Sequence, residues 1–229
     1  LLNKSISRHH TNHKLIMIIT TTNLPSHLQK ASITTPWGKA WIVGNGETLS
    51  GWWFEHQNHA PNRQLGWQEV NPSKIPVKQE NPSTPLWETV QEAPFISLTL
   101  EWLECYIEGH AKALPPLHLY GSPFMLTVWT TLLDIPWGKT WSYAQLAKAV
   151  FQRLQSEQQL NSVNQCAPLV KTDMSPLFTR SVASAVGRNP ISVIIPCHRV
   201  VGTSGQLCGY AGGVERKIAL LKHEGAILL

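Results

Sequence analysis

The chain changes its hydrophobic period near residue 120, and that switch limits the fold more than any other feature. Upstream the pattern is one of strands and turns. In "ITTPWGKAWIVGNGETLSGWWFE", residues 33–55, two apolar, tryptophan-rich runs flank a Gly-Asn-Gly turn, as a hairpin requires. Residues 57–94 are rich in Pro, Asn and Gln and are expected to be irregular. "SLTLEWLECYIEG", 97–109, predicts a helix with Leu98, Trp102, Cys105 and Tyr106 on one face and Gly109 as its stop. Cys105 is most simply a core residue there. "HAKALPPLHLYG", 110–121, has the proline content of an interdomain linker.

Downstream the period is helical. "SPFMLTVWTTLLD" offers Ser122 as N-cap, Pro123 at the first helical position, and Phe124, Val128 and Leu132 at four-residue spacing. "IPWGK" breaks that helix. "SYAQLAKAVFQRL" opens with a capping box at Ser142 and Gln145 and buries Leu146, Ala147, Val150 and Leu154. "FTRSVASAVG" predicts a short helix closed by Gly187, and "GGVERKIALLKHEG", 212–225, a last one carrying Val214, Ile218 and Leu221. Between them lies a polar stretch, 151–176, too long and too rich in Gln, Asn and Ser for an ordinary connection. "PWGKAW" (36–41) and "PWGKTW" (136–141) have unrelated flanks, so they read as one turn chemistry used twice, not as a duplication.

These patterns predict an α/β N-terminal domain over 31–119, a small sheet plus a helix. A mostly helical domain over 120–229 follows, with a winged-helix-like helix-turn-helix. Residues 1–30 begin with Leu, show little periodicity and are expected to be an extension outside the fold, with Met17 a candidate natural start. His9, His10 and His13 have no companion cysteines and fit a disordered tail better than a metal site. No apolar run reaches the length of a membrane span, and "LIMII" is too short for a secretory core, so a cytoplasmic, monomeric protein is expected. The four cysteines show no Cys-x-x-Cys spacing, which argues against a zinc clip and for free thiols, although Cys197 and Cys208 could pair. Charge is divided unevenly: 120–229 holds ten Lys/Arg against five Asp/Glu, whereas 31–119 holds five against nine. A basic half beside an acidic one suggests that one domain meets a polyanion.

The chemistry concentrates in "IIPCHRVVGTSG", 194–205, where Cys197 stands between Pro196 and His198. A nucleophilic cysteine needs a base, and neighbouring side chains on an extended strand point apart, so a contact through water is expected. Glu224, in "KHEG", is the acid available to orient His198. Two short helices in succession suggest a helix-turn-helix, although two packed core helices would give the same pattern. Ala183, Ser184 and Ala185 would let the second helix approach a groove closely, and Arg180 at its start could touch phosphate or enter the base stack.

"PCHRV" (196–200) resembles the active-site motif of the alkylguanine-DNA alkyltransferases, the methylated-DNA–protein-cysteine methyltransferases. "SYAQLA", "NPISVIIPCHRVVG", "GYAGGVERK" and "LLKHEG" fit the same family in order across 122–229. The resemblance implies irreversible, single-turnover transfer of an alkyl group from the exocyclic oxygen of alkylated guanine in double-stranded DNA, with alkylated thymine a further candidate. It implies Cys197 as acceptor, His198 as its water-mediated base, Glu224 as the group orienting the imidazole, and Asn189 as a hinge that knits the turn to the active-site loop. Tyr143 would donate to the departing guanine, and Arg180 would fill the space left by the everted nucleotide. Tyr210 and Ala211 would form the pocket wall, Val186 would line it, and Val200 would present its carbonyl to the base. No cofactor is implied, and the zinc-binding cysteines of some members are absent. The rival readings are a lesion-binding protein that transfers nothing, a Cys-His-Glu hydrolase acting on acyl groups, and a plain transcriptional regulator.

Overall fold

A computed structural model describes residues 5–11, 14–21, 27–61, 68–69, 93–110, 113–162, 175–207 and 209–227. The chain divides into two compact units, Leu1–Gly121 with Pro190–Ile194, and Ser122–Asn189 with Ile195–Leu229.

The first unit is built on a mixed sheet. Its strands are β1 (Ser5–Thr11), β2 (Lys14–Thr21), β3 (Gln29–Thr35), β4 (Gly38–Asn45), β5 (Thr48–Phe54) and the short β6 (Gln68–Glu69). Helix α1 (Pro94–Ile107) precedes β7 (Leu117–Tyr120). The strand order is β1-β2-β7-β5-β4-β3-β6, with β2–β7, β7–β5 and β3–β6 parallel and the remaining pairs antiparallel. The expected hairpin is β4–β5, turning at Gly46, whose φ of 58° suits glycine. In its register Trp41 faces Trp53 and Ile42 faces Trp52. One face therefore stacks Trp41 and Trp53 with Leu28 and Val43. On the other, Trp102 of α1 meets Trp52 edge-on at 6.3 Å and stacks on Tyr106. Gly44 is where α1 comes closest: a Cβ there would lie 2.5 Å from the Phe95 ring.

Within the first thirty residues, 5–11 and 14–21 are strands of the sheet and not an extension outside the fold. β1 and β2 pair in full register, and β2 continues beside β7. The run "LIMII", weighed above only as a membrane or export signal, is β-branched enough to be a strand, and Ile18 is fully buried. His9 and His10 lie in β1, and His13 is outside the described residues. Residues 190–194 also belong to this unit. Trp52 N–H donates to Pro190 O, Ser192 N–H to Trp52 O, and the Ser192 hydroxyl to Gln57 Oε1.

The second unit holds α2 (Pro123–Leu132), β8 (Trp141–Ser142), α3 (Tyr143–Ser162), α4 (Pro176–Gly187), β9 (Val200–Val201) and α5 (Val214–His223). The caps act as their sequences dictate. Ser122 Oγ accepts from Met125 N–H, Ser175 Oγ accepts from Phe178 N–H, and each cap is followed by proline. Ser142 and Gln145 close a reciprocal box, at 2.7 and 3.2 Å. The three helices meet at Phe178, whose ring takes edge contacts from Phe124 and Phe151, and Trp129 Nε1 donates to Ala185 O. Arg153 ties α3 to the end of α2 through Thr130, Thr131 and Asp134.

Two expectations need correction here. Helix α3 runs on to Ser162, so the first part of the polar stretch 151–176 continues a helix; Gln, Glu, Leu and Ser in one run carry no breaker. On α5, Val214 is exposed, while Lys217, Leu220 and Leu221 are buried. The stripe is rotated toward two charges, Lys217 and Glu224, that a hydrophobic period leaves out. Among the described residues no helix is long and apolar enough to cross a membrane, and Cys105 and Cys197 are free thiols. Cys166 and Cys208 lie outside the described residues.

Candidate active site

A single 3-10 turn, Cys197–Arg199, carries three of the charged or reactive side chains of the second unit. Pro196 ends the preceding segment, Cys197 N–H donates to Ile195 O, and Arg199 N–H donates to Pro196 O. The turn converts what the sequence suggested was extended backbone into a curl, and β9 follows at once. Its pairing with β8, Trp141 opposite Val200 and Ser142 opposite Val201, anchors the start of α3 to the segment bearing the cysteine.

Cys197 is buried, with 6% of its surface still exposed. Asn189 Nδ2 donates to Ile195 O at 2.8 Å and to Cys197 Sγ at 3.0 Å. The Ile195 carbonyl fixes the orientation of the amide, because a flipped Asn189 would oppose two acceptors. Burial pushes the Cys197 thiol up to about 11, against the Asn189 hydrogen bond, the Lys217 charge and two backbone N–H groups, which pull it down. At neutral pH the resting thiol therefore holds its proton, so a reaction at this sulfur needs a base at the moment of attack.

The next residue in the turn is His198. It is fully buried, and burial, together with the Arg199 and Lys217 charges, holds its imidazole below the usual 6.5 despite the pull of Glu224. Its Nε2 lies 2.8 Å from Glu224 Oε1. Burial alone would raise the Glu224 carboxyl, but hydrogen bonds and charge from His198 and Arg199 outweigh it and hold that carboxyl well below the ordinary range. An ionised Glu224 only accepts, so Nε2 carries the ring proton and Nδ1 is the bare lone pair. His198 Nδ1 has no hydrogen-bond partner among the described residues. Gly138, with φ of 68°, backs this arrangement; a Cβ there would press to 2.9 Å on the Glu224 carbonyl.

The other residues singled out from sequence take separate stations. Tyr143, the first residue of α3, donates from its hydroxyl to Gly209 O at 3.4 Å, directly before buried Tyr210 and half-buried Ala211. Val186 is buried on the inner face of α4 and Arg180 is exposed on the outer one. Val200 is buried, and its carbonyl accepts from Lys217 Nζ at 2.6 Å, which leaves one lone pair for another donor. Thus two hydrogen-bonded pairs assemble, Asn189 with Cys197 and His198 with Glu224, while Arg180 stands apart on its surface.

Sequence reasoning missed two members. Arg199 donates from Nε and Nη2 to the two Glu224 oxygens, at 2.8 and 2.9 Å, and from Nη1 to Ile135 O at 2.6 Å. Lys217, fully buried, sits at helical spacing from Leu220, Leu221 and Glu224. That 3-4-7 spacing was the available signal: it places two charges on a buried stripe.

The family model of the 6-O-methylguanine DNA methyltransferase DNA binding domain matches residues 123–226. The methylated-DNA–protein-cysteine methyltransferase of Mycobacterium leprae is 31% identical over 194 residues, covering 84% of this chain and 90% of the relative. That of Shigella flexneri is 30% identical over 204 residues, covering 88% and 98%. The structure of Mycobacterium tuberculosis OGT in complex with DNA superposes with a TM-score of 0.60 at 30% identity, covering 86% of this chain and 92% of that one. The chain belongs to the methylated-DNA–protein-cysteine methyltransferase family.

Proposed function

We propose that this protein repairs DNA by moving an alkyl group from the exocyclic oxygen of alkylated guanine in double-stranded DNA onto Cys197, once per molecule. The observation that carries this function is the His198 ring, held through Nε2 by ionised Glu224, on the same turn as a thiol that accepts from Asn189 Nδ2. The thiol proton passes through a water to Nδ1, and the imidazolium gains the Glu224 charge. The sulfur pair forms the S–C bond as the alkyl C–O bond breaks, and the departing electron pair stays on the guanine. Tyr143, as a hydrogen-bond donor, meets that charge, and a proton from solvent leaves the base neutral. The product is a thioether, which has no hydrolytic exit, so the protein is consumed.

On this reading α3 and α4 act as a helix-turn-helix that meets the duplex, and Arg180 enters the stack as the damaged nucleotide rotates out. Tyr210, Ala211, Val186 and the free lone pair of the Val200 carbonyl receive the base. The protein acts as a cytoplasmic monomer without a cofactor. The test is intact-protein mass after incubation with a duplex carrying O6-methylguanine. A gain of one methyl, mapped to the peptide containing Cys197 and absent in Cys197→Ala, is the expected result. Several methyl groups released per protein would favour a hydrolase, and duplex binding with no mass gain a lesion-binding protein.

A further inference from the structure

The pair His198–Glu224 leaves one group of the site without a role. Arg199 spends its whole guanidinium inside the site. Nε and Nη2 grip both oxygens of Glu224, and Nη1 is tied to the carbonyl of Ile135, just beyond the end of α2. A surface arginine does none of this, and Arg199 keeps 12% of its side-chain surface exposed.

We propose that Arg199 is a positioning residue for the alkyl transfer: gripping both Glu224 oxygens, it fixes that carboxylate as acceptor for His198 Nε2–H, so that Nδ1 alone can take the thiol proton. The inference rests on the proposed function but addresses which ring nitrogen acts and what selects it. The geometry leaves few alternatives. Glu224 Oε1 accepts from both His198 Nε2 and Arg199 Nη2, while Oε2 accepts from Nε. A bidentate fork fixes the carboxylate plane as a single point charge cannot. With that plane fixed, the imidazole has one hydrogen-bonded edge, and its Nδ1 is buried with no hydrogen-bond partner among the described residues.

The charged groups acting on His198 are Glu224 at the end of α5, Lys217 on α5 and Arg199 on its own turn. The Arg199 and Lys217 charges both oppose protonation of the ring, and Glu224 favours it. Arg199 therefore has two separable actions: orientation, which needs the fork, and repulsion of the imidazolium, which needs only the charge. Lysine keeps the second and loses the first, and glutamine loses both.

Nitrogen-15 NMR of histidine-labelled protein reads the tautomer directly, alongside the pH profile of methyl transfer from a labelled methylated duplex. Wild type should show His198 as a neutral, Nε2-protonated ring at neutral pH. Arg199→Lys should mix the tautomers and slow transfer by roughly ten- to a hundredfold with the acid limb of the profile in place. Arg199→Gln should slow it at least as much and move that limb to higher pH, because a repelling charge is gone. A merely structural arginine would lower the unfolding midpoint and leave both tautomer and limb unmoved. An unchanged tautomer in a folded Arg199→Gln variant overturns the proposal. If neither variant folds, an Nδ1-protonated His198 in wild type overturns it equally. Wild type that shows the expected tautomer but transfers no methyl group would sink the proposed function and leave the positioning role standing.

Discussion

Asn189→Ala isolates the contribution of one hydrogen bond to the reactive sulfur. In the structure the two Nδ2 hydrogens are both committed, to Ile195 O at 2.8 Å and to Cys197 Sγ at 3.0 Å. The resting thiol is a poor acceptor, so the second bond is weak before reaction and strong once the sulfur is an anion. It therefore acts on the rate. A hydrogen bond to a charged group contributes about 1.5–3 kcal/mol, and at about 1.4 kcal/mol per factor of ten this means transfer slower by roughly 10- to 150-fold. The Ile195 carbonyl keeps Cys197 N–H as a donor, so losing the amide's bond to it should cost only about 0.5–1.5 kcal/mol of stability in addition. The assay is single-turnover transfer of labelled methyl from a duplex near neutral pH, with a urea titration to show that the variant is folded. Asn189→Asp, which keeps the shape but replaces the donor by an anion, should be slower still. A folded Asn189→Ala protein transferring within about threefold of wild type would refute the claim that this amide prepares the thiolate.

Stability should fall on both sides of neutrality, for opposite reasons. His198 is held below 6.5 and Glu224 below 4.5, so the unfolded chain binds protons that the native state refuses. Stability is full above pH 6.5, declines as pH falls below it, and declines further below 4.5. Cys197, raised from 9.0 to about 11, keeps its proton in the native state while the unfolded chain releases it. Stability is then present below pH 9 and is lost toward 11, by about 3 kcal/mol; urea titrations across pH should show Cys197→Ala sparing that alkaline loss and keeping the acidic one. Arg180→Ala should slow transfer from a duplex by about tenfold or more and from free alkylated guanine by less than about twofold; equal loss on both would exclude a role in the stack. Gly138→Ala should cost about 1–3 kcal/mol in a denaturant titration, since its φ is left-handed and the new methyl presses on Glu224 O.

What the sequence determined by itself is what depends on near neighbours in the chain. Ser122 before Pro123 and the Ser142–Gln145 box each specify a geometry within four residues, the tryptophan runs around Gly46 specify a hairpin within about a dozen, and each appears where the pattern puts it. The block "PCHRV" was legible for the same reason. Tertiary structure decided what spans long separations. β2 beside β7 joins residues 18–21 to 117–120, the Arg199 fork crosses to Glu224 and Ile135, and Lys217 is buried beneath the Val200 carbonyl. Charge is the physical reason for the last two. A linear pattern scores Arg and Lys as solvated, because desolvating an ion alone is prohibitive. Only the folded chain brings up the carboxylate and carbonyls that offset such burial, and with them the orientation of the His198 imidazole.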